Sequence, residues 1–505
     1  MKIINRSTSI NQPAPIRSDP SRWNLIPHKV TTETGQLWVG TLDANQYKPL
    51  LSRVVIFKDN EQVQSIDIVR VQWEKPIENL SNRFFTLLTI EGLSPNTKYT
   101  AVFYRQIEHE ASEFVGDWLQ LKTAYFTTLP LSLPTEENTA FTLSLSSCFY
   151  AHKDDGNTAN AFKALYHNGT QAVQPDIKFM VGDQVYLDIG IDSLSPLTNE
   201  VRCRIADDYQ EHWKVLDNML RRGGTWMLPD DHEYWNDYPF YDGFIPTLFM
   251  LRIAKIRRAW KKASKNGVEN IQQTTKPLEF FKIGDDISFC IADLRSTRSK
   301  TQFINKENFS KMIEWAKNLT TPGVLVIPQI LIVEENKTER NLLSFKSQYT
   351  KLINALADAK RDIVVLSGDV HFGRISSVKI GNHGKKLIEV VASPTSNLTG
   401  VNSVATAKPK YDPEYFPDRK ARINCSWEPE KVEYPEEPFR VGTQNGRWFS
   451  TYWRPRTKEH FMTIGFRKDG ETVKMQVQAW LVRQLDNKGM PKPQFETPYE
   501  FTLNK

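Results

Sequence analysis

From residue 35 to residue 129 apolar and polar positions alternate in short runs, GQLWVG, RVVIF, IDIVRVQW, FFTLLTI, KYTAVFY and WLQLKTAYFTTL, with Pro, Gly, Asn and Asp between them. A two-residue period turns one face of a strand to a core and the other to water, and these runs are rich in β-branched and aromatic residues. They predict an all-β sandwich over 35–130, preceded by an N-terminal extension over 1–34. The Pro-rich, polar stretch LPLSLPTEENTA breaks the pattern and places a linker at 131–140.

The period then changes. Strand-like runs FTLSLSS (141–147), DIKFMVG (176–182), TWML (225–228), ISFCIADLR (287–295), GVLVIP (323–328) and DIVVLSG (362–368) alternate with helical patterns near 157–168, 199–222 and 346–360. Such alternation predicts a layered α/β domain with helices against its sheets, here 141–485, followed by a C-terminal segment over 486–505. The sequence shows no internal repeat.

A chain of 505 residues exceeds one ordinary core, which agrees with two domains. Lys plus Arg outnumber Asp plus Glu by 65 to 59, a net charge of +6, too slight to argue for a nucleic-acid partner. The four cysteines, at 148, 203, 290 and 425, have neither metal-finger spacing nor disulfide-scaffold density, so free thiols and a reducing compartment are expected. No stretch approaches about 18 continuous apolar residues, and the N-terminus holds no signal-peptide core, so a cytoplasmic protein is expected.

Chemistry-bearing residues follow four of the apolar strands directly: Cys148 after the first, Asp183 and Tyr186 in GDQVYLD, Asp231 and His232 in DDHEYWND, Asp369 and His371 in LSGDVH. Loops at the carboxyl ends of strands in open α/β sheets gather into one crevice, so these clusters are expected to converge. Several buried carboxylates must either neutralise or surround cations. A thiolate, carboxylate, phenolate and imidazole set (Cys148, Asp183, Tyr186, His371) suits a transition ion such as iron. An all-oxygen set (Asp183, Asp231, Asp369) suits calcium, magnesium or manganese, with Asp183 shared. Two cations about 4 Å apart clamp a phosphate and activate water, which points to hydrolysis of a phosphate ester.

Taken together and in order, SSCFY, GDQVYLD, DDHEYWND, DLRSTR and LSGDVH resemble the PhoD-like alkaline phosphatases of the calcineurin-like metallophosphoesterase superfamily, over roughly residues 140 to 480. The resemblance implies a layered αββα sheet sandwich and an immunoglobulin-like N-terminal domain. GLSPNTKYTAVFY is similar to the start of a fibronectin type III or immunoglobulin-like strand, where Tyr99 either closes a tyrosine corner or is a plain core residue. The resemblance further implies a ferric ion held by Cys148, Tyr186, His371 and bridging Asp183, and a calcium ion held with Asp231 and Asp369; magnesium, manganese and zinc are alternatives. It makes a metal-bound hydroxide the nucleophile and has His232 contact the phosphoryl group and protonate the leaving oxygen. This chain departs in two ways. After GVLVIP, where the superfamily supplies a metal-binding histidine, stand only Pro328 and Gln329, and the family's twin-arginine export signal is missing, so periplasmic phosphate scavenging does not carry over.

Other residues admit two readings each. Asp230 and Glu233 either orient the neighbours of the metals or favour a helix N-terminus; Asp188 either supports the site or is a solvated loop acid. Asn236 either reaches the site or caps a turn. Arg295 and Arg298 grip phosphate or pair with Asp293; Arg295 is taken as catalytic with Asp231 and His232. The aromatics Trp226, Tyr234, Trp235, Tyr238, Phe240 and Tyr241 stack a substrate group or pack the loop. FMLRIAKIRRAWKKASKNG (249–267) predicts a basic amphipathic helix, apolar at Leu251, Ile253, Ile256, Ala259, Trp260 and Ala263, which is a solvated face, a peripheral contact to anionic lipid or nucleic acid, or a device that steers anionic substrates. Residues 329–350 are a lid or an insertion. The expected activity is a phosphatase on monoesters or diesters; its rivals are a phospholipase D-like phosphodiesterase and a non-catalytic scaffold with structural metals.

Overall fold

The computed structural model describes residues 19–109, 112–242, 246–335, 340–382, 384–398, 412–440 and 456–504. Residues 1–18 of the predicted extension, 336–339 of the 329–350 segment and Lys505 lie outside them.

Seven strands build the N-terminal domain: β1 (Asn24–Val30), β2 (Gly35–Thr41), β3 (Leu51–Lys58), β4 (Glu61–Val69), β5 (Phe84–Ile90), β6 (Lys98–His109) and β7 (Ser112–Thr127). They form a three-stranded sheet, β1-β2-β5, and a four-stranded sheet, β4-β3-β6-β7. Trp23, Trp73, Phe84 and Phe103 meet edge to face or tilted in its core, with ring centroids 5.3–6.5 Å apart. The Tyr99 hydroxyl accepts a hydrogen bond from the Ser94 N–H at 2.8 Å, tying the strand back to the preceding turn. The domain begins earlier than the sequence predicts, because β1 lies inside the segment taken as an extension. Pro27 interrupts its alternation and the register shifts between Pro27 and Val30, which is tolerable only because β1 is an edge strand.

The larger domain contains β8 (Phe141–Ser146), β9 (Ile177–Val181), β10 (Gly224–Leu228), β11 (Leu278–Ile283), β12 (Ile287–Ala292), β13 (Gly323–Val326), β14 (Ile363–Ser367), β15 (Phe372–Ile380) and β16 (Lys385–Val391). Its longer helices are α1 (Asn157–Asn168), α2 (Thr198–Leu220), α3 (Pro246–Leu251), α4 (Ala254–Asn266), α5 (Lys306–Lys317) and α6 (Lys346–Ala357). In one seven-stranded sheet β10, β9 and β8 run parallel and then meet the antiparallel hairpin His460–Asp469 and Thr472–Leu485; the other has the order β11-β12-β13-β14-β16-β15 before Phe439–Arg440. The sheets face each other through Phe179 and Phe289, with ring centroids 6.3 Å apart, and through Trp226 and Phe281, 5.4 Å apart.

Alternation along fully buried strands assigns the layers. Phe289, Val324, Val364 and Leu366 enter the inter-sheet core, whereas Cys290, Leu325 and Val365 pack with Phe309, Met312 and Leu352 of α5 and α6. Met180 and Met227 pack outward on the other side with Phe162, Trp213 and Trp260 of α1, α2 and α4. The result is a helix–sheet–sheet–helix sandwich. Residues 486–504 belong to it: Pro491–Pro493 and Tyr499–Asn504 pair with Thr472–Leu485, which corrects the separate C-terminal segment. All four cysteines are free thiols, as expected.

Two other expectations change. The basic helix breaks at Arg252–Ile253 between α3 and α4, so Ile253 is 50% exposed instead of joining the apolar face. The described parts of 329–350 are packed: Ile330–Val333 are buried, the Leu331 and Ile332 N–H groups donate to Glu389, and the Tyr349 hydroxyl donates to the Leu331 carbonyl at 2.9 Å. Among the described residues no helix is long and apolar enough to cross a membrane.

Candidate metal centre

The carboxyl ends of β8, β9 and β10 are neighbours in one sheet, and that of β14 faces them from the other. The loops that follow turn sharply enough to put Cys148 (φ 53°), Asp183 (φ 55°), Asp369 (φ 75°) and His371 (φ 57°) in the left-handed region. That conformation costs an L-residue on the order of 1–2 kcal/mol and persists where the surroundings demand it, as at functional sites. Two glycines allow the loops to meet. A Cβ at Gly368 would stand 2.4 Å from the Ser147 side chain, and one at Gly182 (φ 97°) would stand 2.6 Å from the Cβ of Asp230.

Cys148, Asp183 and His371 place one ligand atom each within 4.8 Å of one another, all buried. The Cys148 Sγ lies 3.4 Å from Asp183 Oδ2, and the Ser393 hydroxyl reaches it at 3.2 Å. Burial, then the charges of Asp183 and Asp369, push this thiol well above its usual range. The Tyr186 hydroxyl is buried and has no hydrogen-bond partner among the described residues; burial, then Cys148 and Asp183, push it up as well. A buried polar atom left this way costs about 1–3 kcal/mol, which an ion would offset. His371 is pushed down to about 4 by burial, so it is a neutral imidazole. Its Nδ1 lies 2.8 Å from the Asn397 Oδ1, and donation to that amide oxygen leaves the Nε2 lone pair for an ion.

Asp183, Asp230, Asp231 and Asp369 form a second group whose ligand oxygens also lie within 4.8 Å of one another. Asp230, read from the sequence as an orienting or capping acid, thus stands among the candidate ligands. Its Oδ1 accepts from Arg295 Nε at 2.6 Å, its Oδ2 has no partner among the described residues, and burial raises it to about 6. Burial also pushes Asp231 up, but Arg295 and His232 outweigh it and hold the carboxyl below its usual range. The Asp237 N–H donates to Asp231 Oδ2 at 2.7 Å, and the Gln329 amide donates to Asp369 Oδ2 at 3.0 Å. These donor sets, one bearing a thiol and a neutral imidazole nitrogen, one all oxygen, are of kinds that can hold metal ions.

Arg295 does not present its guanidinium to a substrate. It is 1% exposed, bonds Asp230, and donates from Nη1 to the Tyr238 carbonyl at 3.0 Å, while Asp293 accepts its backbone N–H at 2.8 Å. Its charge lies against Asp230 and Asp231 of the acidic loop. Arg298 is buried too and donates to Gln329 Oε1 at 2.5 Å. The aromatics Trp226, Tyr234, Trp235 and Tyr238 are buried packing, Tyr234 and Tyr238 stacked with centroids 4.3 Å apart.

His232 joins Asp183 and Asp231 in a third compact group, with Nδ1 2.6 Å from Asp188 Oδ1. Burial works against its protonation, but Asp188, Asp183 and Asp231 outweigh it and raise the imidazole well above its usual range. Asp188 is a fully buried support, not a solvated acid, and its Oδ2 is fixed by the backbone N–H of Asn236 at 2.8 Å. Glu233 holds the loops together: its carboxylate accepts from the N–H groups of Asp183 (3.0 Å), Gln184 (2.7 Å) and Asp230 (2.9 Å). Asn397 and Ser393 are absent from the sequence reading, and Gln329, noted there only as standing where a metal-binding histidine is expected, turns out to hold Asp369. Ser393 and Asn397 lie in SPTSN, directly after apolar β16, so the rule that found the other clusters also points here.

The sequence matches no family model and no curated protein. Among solved structures, that of PhoD covers 96% of this chain and 91% of its own at 14% identity, with a TM-score of 0.61. A redesigned β-sandwich protein (16% identity, 22% of this chain, 94% of its own, TM-score 0.15) and an anti-sigma factor sensor domain from Pseudobacteroides cellulosolvens (12%, 23%, 99%, TM-score 0.15) also match, at scores that carry no argument. Over nearly its whole length, then, this chain has the fold of PhoD, with a buried acid, histidine and cysteine cluster at the strand ends that can hold metal ions.

Proposed function

We propose that this chain is a metal-dependent phosphoesterase of the PhoD-like kind, acting on phosphate monoesters, diesters or both. The observation that carries the reading is the convergence of Cys148 and His371 with Asp230, Asp231 and Asp369 around Asp183, at the ends of strands from two facing sheets, with Tyr186 beside Cys148 and Asp183. In this proposal iron takes the first group and calcium the second, magnesium, manganese or zinc being substitutes, and the N-terminal domain is of the immunoglobulin or fibronectin type III kind. Bound cations would supply phosphate neutralisation and water activation.

The chain's own residues do the rest. Arg295 keeps Asp230 and Asp231 ionised so that they can bind a cation. Asp188 holds His232 oriented and protonated, which suits it to bind a phosphoryl oxygen and donate a proton to the leaving group. Glu233 fixes the backbone from which Asp183 and Asp230 project. Preorganisation of this sort supplies most of the electrostatic advantage of such sites.

The test is to load the purified chain with iron and calcium and assay p-nitrophenyl phosphate beside its bis ester. Faster monoester turnover supports a phosphatase and faster diester turnover a phosphodiesterase, including the phospholipase D-like kind. Metal-loaded protein inactive on both, and on a panel of phosphoesters, would favour a scaffold with structural metals.

A further inference from the structure

The break at Arg252–Ile253 leaves a surface that the site does not use. Phe249 is 47% exposed and Ile253 50% exposed, although both sit in a strongly apolar run, and the Arg252 guanidinium lies 4.6 Å from the Phe249 ring centroid. Beside them, α4 turns Lys255, Arg258, Lys261, Lys262 and Lys265 outward, while Ile256, Ala259, Trp260 and Ala263 are buried. No acidic residue occurs between Asp242 and Glu269. Lys262 pairs with Glu78 and Lys265 with Glu269; Arg252, Lys255, Arg258 and Lys261 have no ion pair among the described residues.

This surface is close to the candidate metal centre. The Trp260 indole donates to the Tyr234 carbonyl at 2.6 Å, and Lys261 Nζ lies 5.6 Å from the Tyr238 ring centroid. The Tyr238 carbonyl in turn accepts from Arg295, which holds Asp230.

We propose that Phe249, Ile253 and the cationic side of α4 form a docking surface for an anionic lipid bilayer, which brings membrane-borne phosphoesters beside the site. Cations alone would suit any polyanion. The exposed aromatic and aliphatic pair next to them favours a bilayer, whose interface accepts apolar side chains while its anionic headgroups meet the lysines and arginines. The docking stands on these surface residues; the substrate class rests on the phosphoesterase reading.

The test is co-sedimentation of the full chain with vesicles of phosphatidylcholine, with and without a third of phosphatidylglycerol. Binding to the anionic vesicles alone is expected. Lys255→Glu with Arg258→Glu should weaken it by about 25-fold or more, at roughly fivefold per cation. Phe249→Ser with Ile253→Ser should weaken it about tenfold. All four positions are exposed and outside the candidate site, so thermal melts should be unchanged. Equal binding to both vesicles, no loss in the Phe249/Ile253 variant, or tighter binding to a single-stranded oligonucleotide than to anionic vesicles would overturn the proposal. Sedimentation needs no turnover. A chain that binds anionic vesicles but cleaves no phosphoester refutes the activity and leaves the docking surface standing; one that cleaves p-nitrophenyl phosphate but ignores vesicles does the reverse.

Discussion

Cys148 and His371, with Tyr186 near enough to feel the charges of Cys148 and Asp183, share Asp183 with a second group, Asp230, Asp231 and Asp369, yet the two groups differ in their electrostatic surroundings. Around the second, Arg295 supplies a buried positive charge to Asp230 and Asp231, so part of the acidity is already compensated by the chain. Around the first, the groups that act on Cys148 are the carboxylates of Asp183 and Asp369, which oppose ionisation, and the hydroxyls of Ser393 and Ser147, which help. Tyr186 faces the same opposition. The contrast suggests that the oxygen group is held open by protein charge, whereas the thiol and phenol become ligands only as an ion displaces their protons.

Breaking the shared member should have the largest effect. Asp183→Ala is expected to lower phosphoester turnover by about 10³-fold or more, the equivalent of about 4 kcal/mol of lost transition-state stabilisation, in steady-state assays of metal-loaded protein. Arg295→Met attacks only the oxygen group. Leaving Asp230 buried without its partner should cost about 3–5 kcal/mol in denaturant unfolding of the metal-free chain, and less once an ion is bound, because the ion replaces the missing charge. No loss in the metal-free chain would refute the compensation assigned to Arg295.

Smaller changes sharpen the contrast. Asn397→Ala frees the Nδ1 side of His371, and Gln329→Ala frees one oxygen of Asp369. Each should weaken metal binding by about 10- to 100-fold, the first for the thiol-bearing group and the second for the oxygen group, as read by separate titrations with iron and calcium. Equal losses for both ions in both variants would mean that the two groups are not separable.

Much of this was legible in the sequence because chemistry followed apolar strands. Cys148, Asp183, Tyr186, Asp231, His232, Asp369 and His371 each stand just beyond a buried run, and the fold brings all of them to one place. What the sequence hid were partners whose roles depend on distant loops. Arg295 reads as a phosphate grip or a partner of Asp293 until its distance to Asp230 is known, and Asn397 is an ordinary loop amide until β16 sets it beside His371. The fold boundaries failed where single residues broke a period: Pro27 concealed β1, and the break at Arg252–Ile253 divided one predicted helix into two.

A last comparison sets the site against its scaffold. His212 and His460, neither of them a candidate ligand, are pushed down to about 4 by burial. A histidine with a depressed folded value contributes stability that is complete above its unfolded value near 6.5 and is lost as pH falls toward about 4. Each should contribute on the order of 3 kcal/mol across that window, seen as a falling melting temperature in metal-free protein. A His460→Phe variant that still folds should lose stability less steeply over the same range; an unchanged slope would contradict the assignment.

The central claim is that one carboxylate serves two ions. It is tested most directly by counting metal in the loaded parent chain and in Asp183→Ala by plasma mass spectrometry, with circular dichroism to confirm the fold. The account predicts about two ions per parent chain and loss of both from the folded variant. A variant that keeps both ions, or loses one and retains the other at full affinity, would contradict it.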